Sequence, residues 1–286
     1  MTESDPLSLI ADSLSPEDRD IYIRYLQNPF GEPRPPEGDA FLAPWEKAVE
    51  RAALCGAAEV INSSVTPRRP VDFVDPEGLS LEIYPSFAGR IPVITARDVR
   101  DFEQLEINLV YKGVRPEGLE KAGAAFLCGR TVRLILLSAK PYSNVPAEEL
   151  GLSPEAWARS SMVLRREHEC LHYYTRRRYG TSANRLYDEL LADYAGMQAA
   201  LGKFSAELFL RFMGRAGGRG RLDLYIPNGS PALCAALEET ARICARSLEE
   251  ISRRPEFIKL SREEQIRALC VPGLRGLAEG SLTAVL

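Results

Sequence analysis

The chain has 286 residues, of which 45% are hydrophobic and 27% are charged. This composition is that of a folded globular protein, and the length allows one large domain or two modest ones. A formal net charge of -4 gives no electrostatic reason to expect nucleic-acid binding. No apolar run has the length of a secretory or membrane-spanning segment, and the six cysteines are scattered without a CxxC pair, as in reduced proteins. We therefore expect a cytoplasmic protein with neither a nucleic-acid nor a membrane partner.

The first 150 residues are predicted to form helices followed by a small sheet. Ser15 is typical of an N-cap, because Pro16 and two acidic residues follow it, and this helix is expected to end near Gln27. Further helices are predicted over 45–60 and 117–127. Apolar residues that alternate with polar ones predict the strands of a mixed or antiparallel sheet at 79–84, 105–111 and 132–136.

After residue 150 the apolar spacing is almost wholly helical. Helices are predicted at 154–178, 184–201, 204–213, 231–252 and 261–270. The change of pattern predicts an α+β fold divided into residues 1–150, with the sheet, and residues 151–286, with the functional site.

The strongest chemical signal is the sequence His168-Glu169-Cys170-Leu171-His172 inside the predicted helix 154–178. Four residues at about 100° each return the two histidines to one helix face, where both imidazoles can bind one tetrahedral zinc ion. Glu169 follows the first histidine and can reach an activated water without being a ligand. Both histidines of the chain lie in this motif, which favours a zinc site over a chance spacing.

A catalytic zinc site needs a third protein ligand, and the next predicted helix offers one. Only residues 179–183 separate the predicted helices 154–178 and 184–201. Two helices joined by so short a turn are expected to pack antiparallel, and residues equidistant from the turn then lie at the same height. This places Glu189 level with His172, and Asp193 level with His168. Glu189 is thus the predicted third ligand, and Asp193 is predicted to hydrogen-bond the outer nitrogen of His168. The alternative is that Glu189 and Asp193 lie on a solvent-exposed face of the helix and take no part in a metal site.

Three further residues lie close to these candidates in the sequence. Asp188 is the competing third ligand, although it is rotated by about 100° from Glu189. Tyr179 continues the helix face of the histidines and is the candidate for stabilising an oxyanion, with simple packing as the alternative. Cys170 lies off that face and is predicted to be buried without binding zinc.

The arrangement resembles the gluzincin pattern, in which HExxH is followed by a helix bearing ExxxD. The segment from Glu189 to Asp193, with Tyr and Ala after it, also resembles cytosolic ImmA/IrrE-type peptidases, over about residues 160–200 only. The resemblance implies a zinc ion held by the two histidines and Glu189, Glu169 as the base, and Asp193 as a supporting acid. By analogy with such enzymes, an edge strand at 105–111 or 131–137 would bind an extended peptide.

We therefore predict a zinc-dependent hydrolase, a metallopeptidase that acts on a peptide or protein, with its zinc site between the sheet-bearing and helical halves. Glu169 would act as general base toward water activated by the metal. The alternative is a zincin-like scaffold that binds a partner protein without turnover. Glu169 favours the enzyme, because a scaffold would need the metal ligands but not this carboxylate.

Overall fold

The computed structural model describes residues 6–36, 38–129, 133–182, 185–214, 221–225 and 230–281. The fold is α+β as predicted, with a mixed four-stranded sheet in the N-terminal half and a helical C-terminal half. The chain divides into two compact units, Pro35–Arg177 and a second one made of Met1–Arg34 with Arg178–Leu286. Within the described residues, no helix has both the length and the apolar character needed to cross a membrane.

The sheet lies in the unit Pro35–Arg177. Its strands are β1 (Leu79–Ser86), β2 (Gly89–Ala96), β3 (Ala124–Cys128) and β4 (Arg133–Ser138). Their order is β1-β2-β4-β3, so that β1 and β3 form the edges. The pairs β1–β2 and β3–β4 are antiparallel, and β2 runs parallel to β4.

Helices cover both faces of this sheet. They are α3 (Ala43–Cys55), α4 (Ala57–Val60), α5 (Val99–Leu109) and α6 (Pro154–Tyr179). On one face, Leu134 and Leu136 of β4 belong to a core with Phe102 of α5. On the other, the alternate residue Ile135 packs with Cys170 and Tyr173 of α6, as the period of two in a strand requires. Helix α6 therefore packs on the sheet through Cys170, inside the HExxH motif, and Tyr173, directly after it.

The prediction of a strand at 105–111 was wrong. Residues 105–109 belong instead to α5, which ends at Leu109 and begins after Asp98. The Asp98 side chain accepts a hydrogen bond from the Arg100 backbone amide at 2.8 Å. Phe102 and Leu105 are buried at the three-residue spacing of a helix. A short apolar run fits both the period of a strand and that of a helix. Here the Asp98 cap and the burial of Phe102 and Leu105 favour the helix.

The predicted helix at 117–127 and both predicted peptide-binding edges were also wrong. Only Leu119–Lys121 forms a short 3₁₀ turn, and the edge strand β3 follows it. Strand β4 lies inside the sheet between β2 and β3, while residues 131 and 132 lie outside the described part of the chain. The outer strands of the described sheet are therefore β1 and β3.

The second unit is helical. It contains α1 (Pro6–Asp12), α2 (Pro16–Tyr25), α7 (Leu186–Leu201), α8 (Ala206–Met213), α9 (Pro231–Ser252), α10 (Pro255–Ile258), α11 (Arg262–Leu269) and α12 (Gly273–Ala278). The Ser15 hydroxyl caps α2 as predicted, by accepting from the Asp18 amide at 3.3 Å. Tyr22 of α2 is buried and hydrogen-bonds Thr240 of α9 at 2.7 Å. The N-terminal helices thus pack with the C-terminal ones, which differs from the predicted division at residue 150.

Candidate metal centre

Helix α6 brings the two histidines of the HExxH motif together. Both imidazoles are buried, and the Nε2 atoms of His168 and His172 lie 3.1 Å apart. Two nitrogens bound at 2.0–2.1 Å to a tetrahedral ion are separated by about 3.3 Å, so the pair has nearly the spacing that zinc requires. A hydrogen bond between two neutral rings would give a similar distance.

Glu189 of α7 completes a group that could hold a metal ion. Within the described chain, His168, His172 and Glu189 each offer one ligand atom, and these atoms lie within 4.8 Å of one another. All three residues are buried, and Glu189 is only 1% exposed. Asp188, the competing acid, is buried but does not belong to the group. Two imidazoles and one carboxylate form a common donor set for catalytic zinc.

The outer nitrogen of His168 is held by Tyr142, a residue that the sequence analysis missed. Its hydroxyl lies 3.0 Å from Nδ1 of His168, and the tyrosine is buried. If Nε2 of His168 binds a metal, Nδ1 carries the ring hydrogen and can donate it to this hydroxyl. The pairing of Asp193 with His168 stays a prediction. No spacing rule connects Tyr142 with a helix residue so far along the chain.

The loop that carries Tyr142 is fastened to the same helix face as the histidines. The Ser161 hydroxyl accepts a hydrogen bond from the Tyr142 amide at 3.0 Å. The Arg165 guanidinium donates to the carbonyls of Ser138 and Pro141 at 2.8 and 3.2 Å. Ser161, Arg165 and His168 follow one another at intervals of four and three residues, so one stripe of α6 positions both the ligand and its tyrosine partner.

We expect Tyr142→Phe to weaken zinc binding by about 10-fold or more, because the Nδ1 hydrogen of His168 would lose its acceptor while the ring remains. Competition with a chromophoric chelator would measure the change. The control is Tyr22→Phe, which removes an equally buried hydroxyl that hydrogen-bonds Thr240. Equal zinc affinity in Tyr142→Phe and wild type would remove Tyr142 from the metal centre.

A second carboxyl, Glu106 of α5, lies within electrostatic reach of the predicted base. Burial raises the pKa of Glu106 to about 7, and the negative charge of Glu169 adds to this effect, while Lys140 opposes it. The Oε2 atom of Glu106 is buried and accepts no hydrogen bond from the described residues. Lys140 instead donates to the carbonyls of Glu120 and Ala122 at 2.8 and 3.0 Å. Sequence analysis missed Glu106 because it assigned this residue to a strand.

The Glu106 carboxyl should make stability depend on pH. Because the pKa of Glu106 is raised in the folded state, from 4.5 to about 7, the folded protein holds this proton more tightly than the unfolded chain. Its ionisation therefore destabilises the fold as the pH rises through 7. The free energy of unfolding of Glu106→Gln, relative to that of wild type, should therefore increase by roughly 2–3 kcal/mol from pH 5 to pH 8. Urea unfolding at pH 5 and pH 8 measures this change, with the exposed Glu155→Gln as control. A stability difference between Glu106→Gln and wild type that is the same at both pH values would contradict the prediction.

A family model matches residues 130–281, which is slightly more than half of the chain. The chain belongs to DUF7005, a family of unknown function. No curated protein and no solved structure matches the chain. In this DUF7005 protein the matched segment contains the HExxH motif, Tyr142, Glu189 and Asp193, whereas Glu106 lies before it.

Arg221 of the DUF7005 chain binds two of the three acidic residues of α7, Glu189 and Asp193. Its Nη2 atom donates to Oε2 of Glu189 at 2.6 Å, and its Nη1 atom lies 3.3 Å from each carboxylate oxygen of Asp193. Both carboxylates are almost completely buried. The residue belongs to the short 3₁₀ helix Arg221–Leu224. Sequence analysis missed it because only folding brings it to α7.

Tyr179, the predicted oxyanion donor, is packed in the helical unit. Its ring lies 5.3 Å from that of Phe30, and its hydroxyl hydrogen-bonds the Cys270 thiol. These contacts favour the packing alternative, and a catalytic role for Tyr179 stays a prediction. Cys170 is buried in the core beside β4, as expected.

Proposed function

We propose that His168, His172 and Glu189 bind a zinc ion and that the protein is a zinc-dependent hydrolase of peptides or proteins. The observation that carries this proposal is the buried group of three ligating side chains with Nε2 atoms 3.1 Å apart. Burial matters because a polar group placed in the interior is costly unless a partner compensates it. A metal ion would be a partner shared by all three residues, in addition to the contacts that Tyr142 makes with His168 and Arg221 makes with Glu189.

The composition of the group favours a catalytic zinc over a structural one. Structural zinc sites have four protein ligands, commonly with several cysteines, whereas catalytic sites have three and leave a position for water or substrate. Among the described residues the group has three members, none of them a cysteine. Two histidines and one glutamate are the ligands that gluzincins use, and the spacing of HExxH and ExxxD resembles theirs.

The residues around this group can perform the proton transfers of hydrolysis. A bound zinc would act as a Lewis acid and lower the pKa of water toward 7. Glu169 accepts a proton from the attacking water at its carboxylate and delivers it to the leaving nitrogen. Tyr142 holds the His168 ring by accepting the Nδ1 hydrogen, and this keeps the Nε2 lone pair directed toward His172.

The proposal is tested by metal analysis joined to a cleavage assay. Protein purified without chelator should contain about one equivalent of zinc per chain, and it should cleave members of a mixed peptide library. Removal of the metal should abolish cleavage, and one equivalent of zinc should restore it. Protein that neither contains zinc nor takes it up would refute the proposal. Zinc binding without cleavage of any peptide would refute the hydrolase and leave a metal-binding scaffold.

A further inference from the structure

The hydroxyl of Tyr225 contacts the candidate ligand Glu189. Tyr225 directly follows the short helix Arg221–Leu224, and its hydroxyl hydrogen-bonds both the Arg221 guanidinium and the Glu189 carboxylate. All three residues belong to the helical unit. Like Arg221, Tyr225 was missed by the sequence analysis, because only folding brings it to α7.

The hydrogen of the Tyr225 hydroxyl is directed at Glu189. The Nε atom of Arg221 donates to this hydroxyl at 3.3 Å, and a guanidinium can only donate. A phenol has one hydrogen, which is therefore given to the other partner, the Glu189 carboxylate. Burial raises the pKa of Tyr225, with Arg221 opposing the shift and Glu189 adding to it. The hydroxyl thus keeps its hydrogen at neutral pH.

The Tyr225 backbone is attached to the start of α7, the helix that carries Glu189. The Tyr25 hydroxyl donates to the Tyr225 carbonyl and accepts from the Leu186 amide at 3.0 Å. Leu186 is the first residue of α7 and precedes Glu189 by three residues. The positions of the Tyr225 hydroxyl and of the Glu189 carboxylate are therefore both set from the same end of one helix.

The Glu189 carboxylate can keep these contacts when it binds a metal. An ionised carboxylate has about four lone-pair positions on its two oxygens, so it can accept from Tyr225 and Arg221 and still bind an ion. Hydrogen bonds from outside the metal orient the groups that bind it. Arg221 alone is a poor substitute for Tyr225 in this role, because the same guanidinium also contacts Asp193.

We propose that Tyr225 is a positioning residue of the metal centre, whose hydroxyl holds the Glu189 carboxylate in the orientation that binds zinc; this inference rests on the proposed zinc site. The carboxylate is only 1% exposed, so its orientation is set by protein partners. A second donor beside Arg221 limits rotation of the carboxylate, and less ordering is then needed when the ion binds.

The test compares zinc binding by Tyr225→Phe and by wild type. The variant keeps the ring and removes only the hydroxyl. We expect its zinc dissociation constant to rise by about 10–100-fold, the usual effect of losing a group that orients a ligand. In cobalt-substituted protein the visible bands depend on ligand geometry, and they should differ from those of wild type. The matched control is Tyr194→Phe, which removes a hydroxyl from a buried tyrosine of α7 that hydrogen-bonds Gln265 at 3.0 Å. It should have the wild-type affinity and spectrum.

The outcomes separate this inference from the proposed function. If wild type binds no zinc, the metal site itself is wrong, and the role of Tyr225 fails with it. If wild type binds zinc and Tyr225→Phe has the same affinity and cobalt spectrum, only the role of Tyr225 is refuted. An equal loss of affinity in Tyr194→Phe would also refute it, because the effect would then be one of general packing.

Should Tyr225→Phe fail to fold, a crystal structure of zinc-loaded wild type decides. A Tyr225 hydroxyl that hydrogen-bonds zinc-bound Glu189 supports the inference. A hydroxyl turned away from Glu189 in that structure overturns it.

Discussion

Replacement of Glu169 by glutamine should leave zinc content and thermal unfolding unchanged while lowering peptide hydrolysis by at least about 100-fold. The amide has the shape of the carboxylate but cannot accept a proton from water. Glu169 lies next to His168 on α6 and outside the group of three candidate ligands, so zinc binding should not need it. The measurement is kcat/KM on a peptide taken from the library, with zinc determined on the same preparation.

The matched control for this variant is Glu155→Gln, the same substitution at an exposed position near the start of the same helix. It should retain wild-type activity. Loss of zinc in Glu169→Gln would make Glu169 a ligand and overturn its assignment as the base. Undiminished hydrolysis in a zinc-loaded Glu169→Gln protein would rule out the general-base mechanism.

His168→Ala and His172→Ala should each weaken zinc binding by about 100–1000-fold. Structural zinc bound by four ligands contributes roughly 10–16 kcal/mol, so one ligand corresponds to about 3 kcal/mol. Each variant should lose its zinc on dialysis, and hydrolysis should be lost with it. Chelator competition measures the affinity directly. Zinc should raise the melting temperature of wild type but not of the variants, because a ligand that binds only the folded state stabilises it.

The control for the histidine variants is Cys170→Ala. This cysteine lies between the two histidines in sequence but is buried in the core against the sheet. Its removal should cost some stability without changing zinc affinity. If either histidine variant kept one tightly bound zinc, the 3.1 Å contact between the rings would be a hydrogen bond and not half of a metal site.

The helical half of the fold followed from local patterns in the sequence. Helix α9 has the predicted bounds, and α6, α7, α8 and α11 lie within two residues of theirs. These helices have long periodic segments, whose apolar spacing and caps are properties of neighbouring residues alone. The relation of His168 to His172 is of the same kind, because the helix repeat brings them together.

Short elements and long-range contacts could be decided only by the tertiary structure. Residues 105–111 fit both a strand and a helix, and the burial of Phe102 and Leu105 in the core selects α5. Gly56, with φ of 88°, separates α3 from α4 within what was predicted as one helix. Where a segment is short, local preference is weak and packing determines its structure.

The candidate site shows the same division. His168, His172 and Glu189 were found from helix geometry, because each predicted relation spans one turn or one short hairpin. Tyr142 and Arg221 were not, because each lies in a loop or short helix, at 26 and 32 residues from the residue that it contacts. A hydrogen bond formed across such a distance leaves no periodic trace in the sequence. The candidate ligands are thus related by local helix geometry, whereas the contacts of Tyr142 and Arg221 with them depend on the tertiary fold.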